Sequence, residues 1–153
     1  MSEIVPNVFL SDMHRTCDVK KLGVTVVVSV GLEFNGYHQI IKYYPDILYY
    51  CVPVMDEPSV RIDRYFTETL KIINHAVHNN KRVLIHCAQG RSRSVTMYAA
   101  WLMKYCDMTT ADALSKIKHH HKIAEPNQGF IEQLILFEKK EPADARHPYK
   151  ISF

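Results

Sequence analysis

Residues 83–95 read VLIHCAQGRSRSV: an apolar run, then His86 and Cys87, then one glycine, two arginines and two serines before apolar residues resume at Val95. The next residues, VTMYAAWLMKY over 95–105, are apolar almost all round, and a helix of that kind belongs in the interior. A buried strand therefore runs into a buried helix, and every polar residue between them falls at the carboxyl end of the strand. In open α/β folds that is where ligands bind.

Working outward, Val24–Val30, VTVVVSV, is β-branched and apolar on both faces, as in a strand covered on both sides. Leu48–Val54, LYYCVPV, is a second such run, and Pro53 places its end near a sheet edge. Val8–Leu10 reads as a short edge strand. Phe66, Leu70, Ile73 and Val77 share one helical face, with Glu68, Lys71, Asn74 and His78 opposite. An amphipathic helix follows from that pattern, capped by Asp63 and broken at Asn79-Asn80-Lys81. Strand, helix, strand in this order predicts a right-handed βαβ unit with parallel strands.

Further on, Thr109 and Asp112 form a capping-box variant, with Asp112 placed to pair with Lys116. Pro126 suits the first turn of a last helix that turns Phe130, Leu134 and Phe137 inward. From Glu141 the chain, EPADARHPYKISF, has two prolines and no periodicity, which predicts an extended or partly disordered tail. The expected fold is α/β, a mixed and mostly parallel central sheet flanked by helices.

At 153 residues, 47% hydrophobic and 23% charged, the composition is that of one ordinary globular domain. The formal charge of +3 leans mildly toward anionic partners and does not argue for nucleic acid. No apolar stretch reaches membrane-spanning length, and MSEIVPNVFL lacks the pattern of an export signal. Cys17, Cys51, Cys87 and Cys106 form no CxxC pair, which points away from zinc and disulfides and toward free thiols in a reducing, cytoplasmic setting with nuclear access open. Cys51 and Cys106 read as buried structural thiols rather than redox partners of Cys87.

The crowded turn carries the chemistry. The first N–H groups of a helix have no intrahelical partner and sit at the positive end of its dipole. Gly90 lets the loop curl so that these groups converge on a phosphate-sized anion. Ala88, Gln89, Gly90, Arg91 and Ser92 are the expected cradle, and Arg93 returns across it to grip two phosphate oxygens with its planar fork. Positive potential of this kind favours thiolate over thiol, so Cys87 is the expected nucleophile toward a phosphate ester. Ser94 is placed to donate a hydrogen bond to the sulfur, and His86 to orient the loop. The competing reading is a structural cysteine beside a basic turn.

His86, Cys87, Gly90, Arg93 and Ser94 resemble the HCxxGxxR-Ser/Thr signature of the cysteine-based protein tyrosine phosphatases. VPNVFLSD, LGVTVVVSVG and IAEPNQGFIEQL resemble segments of its dual-specificity branch, and the likeness runs from about residue 4 to residue 138. It implies a catalytic domain over 1–140 with a tail over 141–153. It also implies hydrolysis of phosphotyrosine and phosphoserine/threonine in proteins through a phosphocysteine, with neither metal nor cofactor. Phosphorylated proteins are then the partners; the oligomeric state has no sequence signature.

The leaving oxygen needs a proton, and VMDEPSVRID offers Asp56, Glu57 and Asp63. Asp63 is assigned to the helix cap, whereas Asp56 lies just past a strand end in a proline-bounded loop. In the family the acid lies nine residues before a Tyr-Phe pair, and Asp56 has that spacing to Tyr65-Phe66. Asp56 is the expected acid, with Glu57 as fallback.

Two residues depart from the family pattern. Arg91 replaces a small apolar residue and either favours acidic or multiply phosphorylated substrates or pairs with a neighbouring acid. His121 stands where arginine is common, so an ion pair there becomes weaker and pH-dependent. The run His119-His120-His121 reads as a solvated helix end rather than a metal site, and the family resemblance implies that Asn127 is a cap or turn residue rather than a ligand.

Other functions fit less of the sequence. A phosphoinositide phosphatase would be expected to have lysines in the loop, and CAQGRSR has none. An RNA 5′-phosphatase suits the mild basicity, but Ala88-Gln89 and Arg91-Ser92 do not match that branch. A non-catalytic phosphoprotein-binding module usually lacks the cysteine or the acid. A rhodanese-like sulfurtransferase needs neither Asp56 nor Ser94. Partner choice would rest on the catalytic surface, with Arg61, Arg64 and Arg91 as candidates.

Overall fold

The structure, a computed structural model, describes residues 1–35 and 44–140. Five strands, β1 (Ser2–Val5), β2 (Val8–Ser11), β3 (Val24–Val30), β4 (Leu48–Val52) and β5 (Arg82–His86), form one sheet in the order β1-β2-β5-β3-β4. Only the β1–β2 pair is antiparallel. The mixed, mostly parallel sheet matches the expectation. The tail from Glu141 lies outside the described residues.

Four helices are described: α1 (Phe66–His78), α2 (Arg93–Tyr105), α3 (Thr110–His120) and α4 (Gln128–Lys140). The larger core packs them with Leu10, Val26, Val28, Val30, Val83 and Ile85 from the sheet. A smaller cluster, Phe9, Val19, Val24, Val27 and Leu84, covers other strand residues. Val24 and Val27 share this cluster despite their odd spacing because the β3 register shifts between Val24 and Val26. Helix α2 is the centre of the molecule: every residue except Lys104 is buried, Trp101 completely.

Several expectations change. Val8–Leu10 is a strand but not an edge: Val8 and Leu10 are fully buried between β5 and β1, and the Tyr98 hydroxyl donates to the Val8 carbonyl at 2.9 Å. The edge is β1, folded back through a tight turn in which Asn7 has φ +68°. The parallel strands β4 and β5 are not neighbours, because β3 lies between them.

Helix α1 is preceded by a 3-10 turn, Ile62–Tyr65, and Tyr65 occupies its N-cap without a side-chain bond. Asp63 is therefore not the cap; its carboxylate accepts two bonds from Arg61 at 2.9 and 2.7 Å. The arginine two residues earlier offers a charged fork, a stronger partner than a neutral N–H. Thr109 caps α3 as expected, but the Asp112 carboxylate accepts from the Thr109 hydroxyl rather than pairing with Lys116. Pro126 lies outside α4, which starts at Gln128 and is capped by Asn127 Oδ1 accepting from Phe130 N at 3.0 Å.

Candidate active site

Strand β5 delivers His86 and Cys87 to the carboxyl edge of the sheet, with His86 in register between Ser11 and Ser29 on the flanking strands. His86 Nε2 hydrogen-bonds Ser29 Oγ, and Phe34 meets the ring edge-on at 4.8 Å. Burial pushes the imidazole down to about 4, so it stays neutral. Cys87 is 2% exposed, and its Sγ lies 3.1 Å from Ser94 Oγ in the first turn of α2.

Between them the loop is held from outside by its carbonyls. Met13 N donates to Ala88 O at 3.2 Å, His121 Nε2 to Gly90 O at 2.8 Å, and Glu125 N to Arg91 O at 2.8 Å. Across a planar trans peptide the N–H points opposite to the carbonyl. The N–H groups of Gln89, Arg91 and Ser92 therefore face the other way, toward the inside of the curl. Gly90 permits the turn: its φ is +66°, and a Cβ there would lie 2.9 Å from the Ser11–Asp12 backbone.

Arg93 is 8% exposed and anchored on one side. Its Nη1 donates to both Glu33 carboxylate oxygens at 2.8 Å and to Val54 O at 3.3 Å. Its buried Nε has no partner among the described residues. Only one corner of the guanidinium is tied down, which leaves the Nε–Nη2 edge as a parallel pair of donors.

Asp56 follows β4 and is brought back over the loop. Its Oδ1 accepts from Ser92 Oγ at 2.6 Å and from Asn127 Nδ2 at 2.8 Å, while Ser92 Oγ accepts from Asn127 N at 3.0 Å. Asn127 thus caps α4 and grips the aspartate at once, so one residue couples a helix terminus to the carboxylate. The Glu57 carboxylate makes no hydrogen bond among the described residues.

The sequence reading brought Cys87, Arg93, Ser94 and Asp56 to one edge, and the structure assembles them there. It did not find Glu33, Ser29, or the bridge from Ser92 to Asp56. Glu33 is sixty residues from Arg93 along the chain, and a lone glutamate after a strand carries no local signature. Ser92, grouped with the phosphate cradle, has its hydroxyl engaged with Asp56.

Of the two departures, Arg91 forms a salt bridge with Glu125. His121 makes no ion pair among the described residues and is not part of a solvated helix end: it is 8% exposed, with Nδ1 bonded to Ser2 Oγ at 2.9 Å. A helix of eleven residues ends there, and the turn carries the last histidine under the loop. Cys51 and Cys106 are half-buried free thiols rather than fully buried ones. Burial raises both, Cys106 to about 12, which keeps them protonated.

Among the described residues no helix is long and apolar enough to cross a membrane. Residues 9–140 match the family model of the dual specificity phosphatase catalytic domain. The chain is 33% identical to mouse dual specificity protein phosphatase 22 over 144 residues, covering 92% of this chain and 75% of that protein. It is 36% identical to rat dual specificity protein phosphatase 18, over 90% of this chain and 67% of the relative. The crystal structure of human DUSP28 superposes with a TM-score of 0.84 at 28% identity, covering 94% of this chain and 99% of that one. The chain belongs to the dual specificity phosphatase family and is a protein phosphatase.

Proposed function

We propose that residues 1–140 form a catalytic unit that hydrolyses phosphotyrosine and phosphoserine/threonine in proteins through a phosphocysteine on Cys87. The observation that carries the reading is the 3.1 Å approach of Ser94 Oγ to a buried Cys87 Sγ beneath a loop whose amides face inward. The loop amides and the free edge of Arg93 hold the phosphoryl oxygens and match the charge that builds on them. Sulfur attacks phosphorus, the ester P–O bond breaks, and Asp56 gives its proton to the departing oxygen.

In the second half Asp56, now a carboxylate, takes a proton from water as that water attacks phosphorus. The P–S bond breaks, orthophosphate forms, and the electron pair returns to sulfur, where the Ser94 hydroxyl donates to it. Neutral His86 is a positioning residue, fixing the strand end from which Cys87 projects. With the bonds from Ser92 and Asn127 both on Oδ1, Oδ2 of Asp56 is the oxygen left to carry the proton.

Reach toward both phosphotyrosine and the shorter phosphoserine/threonine is supported by the relatives' designation as dual specificity phosphatases. A nucleophilic thiol works only when reduced, which suits the cytoplasm or nucleus. The test is release of phosphate from p-nitrophenyl phosphate by wild type and by Cys87→Ser. Wild type is expected to turn over and the serine variant to fall to background. An inactive wild type removes the catalytic reading.

A further inference from the structure

Large apolar side chains exposed singly on a surface need no explanation. The active-site rim is different. Met13 is 38% exposed, Leu32 48%, Met55 49% and Ile123 49%. Each comes from a separate segment: after β2, after β3, after β4, and between α3 and α4.

Each is also tied to the site through its own backbone or a near neighbour's. Met13 N bonds the Ala88 carbonyl. Leu32 N bonds Val54 O at 3.0 Å, which seats Leu32 beside Met55, next to Asp56. Ile123 lies two residues before Glu125, which holds Arg91 through both backbone and side chain. Among the described residues the other large exposed apolar side chains, Leu48, Ile135 and Leu136, belong to none of these segments.

Two nearby arginines point the same way, although exposed Arg15 and Lys122 flank Met13 and Ile123. Two of the three arginines that the sequence suggests for partner choice are already matched, Arg91 by Glu125 and Arg61 by Asp63. Arg64 alone of the three has no carboxylate against it among the described residues. An arginine in a salt bridge would have to give up its partner to meet a second phosphate. An apolar side chain loses only water when it meets another.

We propose that this rim selects phosphoprotein segments with large aliphatic or aromatic residues flanking the phosphorylated residue, rather than acidic or multiply phosphorylated segments. This rests on the catalytic reading above and names its substrate class. The four residues stand on segments whose backbones are bonded to the loop or flank Asp56, so a chain whose phosphorylated residue reaches Cys87 brings the residues on either side of it toward them.

Two sets of phosphotyrosine peptides of equal length test this, one with leucine or isoleucine beside the phosphotyrosine and one with aspartate or phosphoserine there. The kcat/KM ratio of apolar to acidic peptides is expected to be about tenfold in wild type, the value for partial burial of one aliphatic side chain. Leu32→Ser/Ile123→Ser, and separately Met13→Ser/Met55→Ser, should each bring the ratio toward one. Because the ratio is internal to each preparation, a loss of folded protein cancels. A wild-type ratio near or below one, or a ratio unmoved by both double variants, overturns the proposal. So does a dimer in sedimentation that these substitutions dissociate without moving the ratio, since the rim then covers a second copy. If wild type cleaves p-nitrophenyl phosphate yet shows no preference, the selectivity fails alone; if it cleaves neither, the catalytic reading fails with it.

Discussion

At the scale of single residues, the guanidinium of Arg93 has two jobs that a lysine cannot combine. One corner is held by Glu33 and the Val54 carbonyl, and the opposite edge is left for phosphate. An ammonium is a point charge that can satisfy the tether or the substrate, not both with fixed geometry. Arg93→Lys is expected to lower kcat/KM by about 10²–10³-fold, the cost of losing an oriented transition-state donor. Near-normal steady-state kinetics in that variant would show that the fork is not used.

Asp56 can be isolated in the same way, because only poor leaving groups need its proton. Asp56→Asn should slow esters of aliphatic alcohols by about 10²–10⁴-fold, and p-nitrophenyl phosphate by less than about tenfold. An equal effect across a series of leaving-group pKa values would move the acid elsewhere, to Glu57 first.

At the scale of elements, α4 and the acid loop are locked together. Gly129, in the first turn of α4, lies so close to the Pro58 carbonyl that a Cβ would overlap it. One residue earlier in the chain than α4, Asn127 holds Asp56 itself. Gly129→Ala must therefore push the helix and the loop apart. The expected outcome is a stability loss of about 1–3 kcal/mol by denaturant titration, from overpacking against backbone. It should also share the leaving-group selectivity of Asp56→Asn in weaker form. A variant that is destabilised yet shows no such selectivity would separate the packing of α4 from the placing of the acid.

At the scale of the whole molecule, buried neutral imidazoles make stability depend on pH. Burial holds His86 at about 4, whereas an unfolded histidine takes up a proton near 6.5. The unfolded chain thus binds the extra proton first. Stability is complete above about pH 6.5 and falls as pH drops toward 4, by about 3 kcal/mol over that window. His121, lowered mainly by burial, adds in the same direction. Asp63, held low by its hydrogen bonds from Arg61, and Glu138, held low by Thr110, act only in more acid solution. Urea titrations at pH 7, 6 and 5 should show this decline, and His86→Gln should flatten it by nearly one proton. An unchanged slope would mean that His86 is not the group responsible.

The central strands, the buried helix and the loop from Cys87 to Ser94 were legible because each is written locally. VTVVVSV can be buried on both faces, VTMYAAWLMKY cannot sit at a surface, and the polar residues between His86 and Ser94 fall together between a buried strand and a buried helix. Asn127 as a cap came from the family resemblance, which left a turn residue open. Asp63 was misread because a cap is a competition between neighbours, and Arg61 wins it by charge. Strand β1 was missed because four residues beyond a tight turn carry too little pattern to register.

The amino-acid sequence by itself determined which residues are candidates for the chemistry: a cysteine at a strand end, an arginine six residues on, a serine beside it, and an aspartate in a separate loop. The first three follow from periodicity and helix-terminus geometry, which act over a few residues, and the aspartate from its spacing in the family the sequence resembles. Only the tertiary structure decided what holds them in place. Glu33 on Arg93, Asn127 and Ser92 on Asp56, His121 on Gly90 and Glu125 on Arg91 join segments far apart in the chain. Such contacts exist only once the sheet order has brought the strand ends to one edge, and no local pattern encodes them.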